Sequence, residues 1–73
     1  MTFTQAQIIC ELADNNLSVP ATAKSLYRSR TGLLYIIKHI ERETGKNPLC
    51  FHHLCELLPE ARAVLEGDID DGD

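Results

Sequence analysis

Apolar residues recur at three- and four-residue intervals along most of the chain, the spacing of helices with one buried face rather than of strands. In the first stretch Ala6, Ile9, Leu12 and Ala13 keep that spacing, with Ile8 alongside. Thr4 followed by Gln7 has the form of a capping box, in which the hydroxyl accepts from the third helical amide and the glutamine reaches back. Asn15 and Asn16 come next, and asparagine tolerates the left-handed backbone on which helices end. The first helix is therefore expected over about residues 4–15, with Leu17 and Val19 buried in the connection.

Pro20 suits a first helical turn, where its fixed φ helps and its missing N–H is not needed. Ala23 and Leu26 then lie one turn apart, predicting a short second helix at 20–27 that is too short to stand alone. Ser29 is a strong N-cap, and Leu33, Ile37 and Ile40 follow on one face, with Thr44 extending it. Gly45 and Pro48 stop that helix, which is expected at 30–44. The last stretch keeps helical spacing through Leu54, Leu57, Leu58, Ala61, Val64 and Leu65, but Pro59 interrupts it. Proline disfavours helix at the residue before it, so two short helices are expected, at 51–57 and 60–66. From Gly67 the chain is acidic and almost without apolar residues, which reads as a disordered tail. The expected fold is all-α, a compact domain of four to five helices over residues 1–66 with a tail at 67–73.

The length, 73 residues, allows one domain. A chain of this size buries only about 60% of its unfolded surface, so its helices must pack economically or a second copy must complete the core. Cys10, Cys50 and Cys55 make an odd count, which with no secretory pattern upstream argues against a disulfide framework. The longest apolar run, residues 33–37, is far too short to span a bilayer. A cytoplasmic protein with reduced thiols and no membrane association is expected.

Charge changes the picture through its distribution. The net value of -4 argues against a polyanionic partner, yet residues 24–46 carry six bases against two acids, while residues 47–73 carry one base against seven acids. Phosphate recognition depends on one face rather than on the total. Tyr27, Arg28 and Ser29 form a tight joint between the second and third helices, the arrangement of a helix-turn-helix, with Ala23 small enough for a close crossing. With Leu33, Ile37 and Ile40 inward, Thr31, Tyr35, Lys38 and Arg42 form a polar stripe without an acid. Arg28 and Arg30 stand at the helix start, where free amides also favour a phosphate. The candidate DNA-binding residues are thus Arg28, Ser29, Arg30, Thr31, Tyr35, Lys38 and Arg42. Arg30, Thr31 and Tyr35 are placed to reach base edges or phosphates, and Arg28, Lys38 and Arg42 to neutralise backbone.

Other chemistry is weaker. Cys50, His52, His53 and Cys55 are dense in soft ligands, but helical spacing points them to different faces, and no second ligand pair follows. A cysteine nucleophile would lack an oxyanion element, and a glycine-rich phosphate loop is absent. Neither an enzyme, a metal site nor a cofactor is expected.

Residues 13–48 also resemble the C-terminal helix-turn-helix domain of PucR/CdaR-type regulators, the activators of purine catabolism and sugar-diacid use. The resemblance rests on Asn15, Asn16, Val19, Thr22, Ala23, Leu26, Tyr27, Arg30, Leu33, Tyr35, Ile37, Ile40, Glu41, Thr44 and Gly45 at continuous spacing, over about half the chain. It implies an all-helical DNA-binding domain of a transcription factor, here a stand-alone small regulator. The chain departs where the family has His-Arg-Asn-Thr and this sequence has Ser29, Arg30, Thr31 and Gly32, and where the family's arginine after the tyrosine is Ile36. The expected function is a DNA-binding transcriptional regulator whose third helix reads the major groove of double-stranded DNA, acting as a homodimer. The alternative is a protein-interaction module of the same fold that no longer binds DNA and docks through Leu34, Tyr35, Ile36 and the second apolar helix on a larger regulator or a second copy.

Overall fold

Thr2 and Gln5 start the first helix, α1, which runs Phe3–Asp14. The Thr2 hydroxyl accepts from the Gln5 amide at 3.1 Å, and the Gln5 side chain accepts from the Thr2 amide at 3.0 Å. The capping box is therefore real but sits two residues before the Thr4–Gln7 pair of identical spacing. The choice is tertiary: from this position the Gln5 amide nitrogen also donates to Glu43, in the third helix, at 2.8 Å. The structure, a computed structural model, describes residues 1–67. The tail expected beyond Gly67 lies outside the described residues.

At the end of α1 the Asn16 amide donates to Ala13 and the Leu17 amide to Leu12, the paired bonds of a Schellman motif. Asn16 takes the left-handed conformation at φ 54°, as asparagine can, and Leu17 follows at φ 67°. Leu17 and Val19 pack partly buried against the core. Helix α2 spans Val19–Ser25, shorter and earlier than the expected 20–27. Ser18 caps it by accepting from the Ala21 amide at 3.2 Å, which moves Pro20 to the second helical position. Helix α3 spans Arg30–Thr44, capped by Ser29 and closed by Gly45 at φ 74°, as the sequence predicts.

Helix α4 corrects the sequence reading. It runs unbroken from Phe51 to Glu66 with Pro59 inside it. Pro59 removes one N–H and leaves the Cys55 carbonyl without its helical donor. Both residues are exposed, so water reaches that carbonyl. Leu54 and Leu57 before the proline and Ala61 and Val64 after it are all buried, so one continuous apolar face holds the two halves in line.

The described residues thus form four helices and no strand. Helix α1 is central: it packs on α2, α3 and α4, α2 also packs on α3, and α4 packs on α1 alone. Ile8, Ile9, Leu12, Leu33 and Ile40 are almost fully buried, and Ile37, Leu54 and Leu57 join them. The buried Thr22 hydroxyl meets the Asn15 side-chain amide at 3.4 Å. No helix among the described residues is long and apolar enough to cross a membrane.

Candidate nucleic-acid interface

Four residues, Leu26 to Ser29, join α2 to α3. The Tyr27 amide donates to Lys24 at 3.2 Å and the Arg28 amide to Ala23 at 2.9 Å, so α2 ends on the same Schellman pairing as α1. Ser29 then caps α3 by accepting from the Gly32 amide at 3.0 Å. Ala23 is buried on the α2 side of this junction, and Leu33 and Ile37 on the α3 side. The joint is therefore hydrogen-bonded at each residue that turns the chain, and it sets the start of α3 firmly against α2.

That placement brings the sequence-selected residues into one exposed region. Arg28, Ser29, Arg30, Thr31, Tyr35, Lys38 and Arg42 are all exposed. Thr31, Tyr35, Lys38 and Arg42 follow at helical intervals and share one face, extending about 18 Å along the axis from Arg30 to Arg42 at 1.5 Å per residue. Thr31, Leu34, Tyr35 and Lys38 line a shallow depression on this face. Among the described residues, no ion pair involves Arg28, Arg30, Lys38 or Arg42. Lys46 behaves differently, since it pairs with Glu56 of α4 at 3.6 Å. Glu43 is also drawn aside: it accepts from Gln5 and lies 3.6 Å from His39.

Gly32 and Ile36 sit on or beside this face. A Cβ at Gly32 would stand 3.0 Å from the Ser29 hydroxyl oxygen, a tight contact that the same cap accommodates at Gln5 and Ala21. Ile36 is partly buried and packs against the core, so it does not project as an apolar patch. Ser29 has a double position, with its oxygen already accepting inside α3 and its hydroxyl proton exposed to donate outward.

One feature of the joint was not read from the sequence. Tyr27 is 97% exposed and adopts φ 55°. The signal was available: no glycine lies between Pro20 and Ser29, so a residue with a side chain had to take the left-handed turn between the helices.

The cysteine and histidine cluster separates as its spacing suggests. His53 Nδ1 accepts from the Asn47 amide at 2.9 Å, which fixes that ring in the turn before α4. His52 stacks edge-on against Phe51, at 5.7 Å between ring centroids. Among the described residues no three His, Cys, Asp or Glu side chains are arranged to hold a metal ion. A second concave surface, an apolar groove of about 230 Å³, lies between the end of α1 and α4, lined by Ala13, Leu17, Phe51, Leu54 and Leu58 among others. Comparison with known proteins finds no matching family model, no matching curated protein and no matching solved structure.

Proposed function

We propose that the protein is a DNA-binding transcriptional regulator of the cytoplasm in which α2 and α3 form a helix-turn-helix and α3 enters the major groove. The observation that carries this reading is the set of four exposed cations with no ion-pair partner among the described residues, Arg28 and Arg30 at the entry to α3 and Lys38 and Arg42 on its outward face. In a chain of net charge -4, four exposed cations that stand outside the ion pairs of the described residues make a surface suited to phosphate. Arg30, Thr31 and Tyr35 sit at the leading end and reach base edges or phosphates, while Arg28, Lys38 and Arg42 neutralise the backbone. Ser29 holds the first turn of α3 in place and offers its hydroxyl proton to a phosphate. One short helix makes few phosphate contacts, so a homodimer on two half-sites is part of the proposal. The resemblance to PucR/CdaR-type domains supports the same reading.

The alternative, a helix-turn-helix-derived module that binds a larger regulator or a second copy instead of DNA, requires an apolar patch centred on Ile36. Ile36 packs against the core, which favours the DNA reading.

The test is selection of duplexes from a random pool, followed by anisotropy titration of the enriched sequence at several salt concentrations. Each phosphate contact contributes about 0.9 to the slope of log K against log salt. Arg30→Ala and Lys38→Ala are each expected to weaken binding and to flatten that slope by about 0.9. Failure to enrich any duplex, or an unchanged slope in both variants, overturns the reading.

A further inference from the structure

The two Schellman ends in this chain solve the same backbone problem with different residues. At the end of α1 the left-handed position is Asn16, one of the few side chains that tolerate it. At the end of α2 it is Tyr27, a bulky aromatic for which positive φ is a genuine outlier. Strain of this kind is ordinarily offset by burial of the side chain. Leu17, also at positive φ, packs against the core in that way. Tyr27 has no such compensation, being 97% exposed. The side chain costs the fold stability and returns none through packing, so its use lies outside the fold. Its position is fixed nonetheless, because the amides of Tyr27 and Arg28 are both hydrogen-bonded back into α2. A phenol carried on a fixed backbone position therefore stands in the turn between Lys24, exposed in α2, and the exposed Arg28 and Arg30 that lead into α3.

We infer that Tyr27 is a DNA contact residue, donating its phenolic hydroxyl to a phosphate of the duplex beside the groove that α3 occupies. This rests on the proposed DNA-binding function and adds to it a residue and a role. A phenol is a suitable neutral donor to phosphate oxygen, and a tyrosine on a fixed backbone has only two side-chain torsions to order on binding. Being neutral, the contact releases no counterion, so it adds affinity without adding to the salt slope.

The experiment pairs Tyr27→Phe and Tyr27→Gly, each measured by thermal unfolding and by anisotropy titration on the selected duplex at several salt concentrations. Tyr27→Phe keeps the ring and backbone strain and removes only the donor. It is expected to leave the melting temperature unchanged and to weaken binding about fivefold, the size of one hydrogen bond, with the salt slope unaltered. Tyr27→Gly is expected to raise the melting temperature by relieving the left-handed strain, and to weaken binding at least as much. Gained stability with full DNA affinity in Tyr27→Gly would make the residue a turn element only and overturn the contact. Full affinity in Tyr27→Phe with loss in Tyr27→Gly would overturn the hydroxyl's role. Absence of duplex binding by the unmodified protein overturns the DNA reading itself and this contact with it, whereas normal binding by both variants overturns the contact alone.

Discussion

Replacing Pro59 with alanine should stabilise the protein, by an amount that follows from where the proline sits. It is the ninth residue of the sixteen in α4, well inside the helix. A proline in a helix interior costs about 3 kcal/mol relative to alanine, from the missing hydrogen bond and from crowding against the preceding turn. In α4 part of that cost is avoided, because Cys55, whose carbonyl is left without a donor, lies on the exposed side of the helix. Alanine restores the bond and relieves the crowding without touching the buried face of Leu54, Leu57, Ala61 and Val64. A gain of about 2 kcal/mol is expected. For a domain of this size each kcal/mol moves the midpoint by roughly 4–8 °C, so the melting temperature should rise by about 8–16 °C. Far-ultraviolet circular dichroism during heating measures it, and urea titration should show a higher midpoint at the same m-value. An unchanged or lower midpoint would refute the reasoning, since it would mean that α4 depends on its proline to lie correctly along α1.

Three further substitutions probe contacts that link elements. Gln5→Ala removes both the reciprocal cap on Thr2 and the bond to Glu43 of α3, and should cost about 1–2 kcal/mol in chemical denaturation. Cys50→Asp supplies the cap that α4 lacks, since the Cys50 side chain makes no capping bond, and should raise stability by about 1 kcal/mol. Burial raises the Cys10 thiol above its ordinary value of 9.0, with Asp14 and Glu11 adding to the rise and Arg62 opposing it. The native state therefore keeps a proton that the unfolded chain releases, and this contribution, complete below pH 9.0, is lost as pH climbs through the raised value. The stability difference between the wild type and Cys10→Ala should accordingly shift against the wild type above that pH, and a difference independent of pH would contradict the assignment.

Much of the fold was legible in local pattern. Helix α3 could be placed to the residue because Ser29 and Gly45 are unambiguous start and stop chemistry around a strong apolar face. The start of α1 was not legible to the residue, because Thr2–Gln5 and Thr4–Gln7 offer the same cap and only Glu43, thirty-eight residues away from Gln5, distinguishes them. The cap at Ser18 was overshadowed by Pro20, whose preference for the first turn is satisfied at the second position as well. The candidate face was legible as a stripe, since a helix of known inward residues has a determined outward side. Whether its cations were already neutralised was not, because ion pairing depends on which distant carboxylates the fold brings near.

The sequence by itself determined that this chain is helical, that α3 presents Thr31, Tyr35, Lys38 and Arg42 together, and that Leu33, Ile37 and Ile40 face inward. Those are consequences of a 3.6-residue period and of capping, which act over one or two turns. Tertiary structure alone decided that α4 passes through Pro59, that Ile36 packs partly buried against the core, and that Tyr27 stands in solvent. Each of these sets a local penalty or preference against packing between helices, and in a domain this small the shared core around α1 settles the balance.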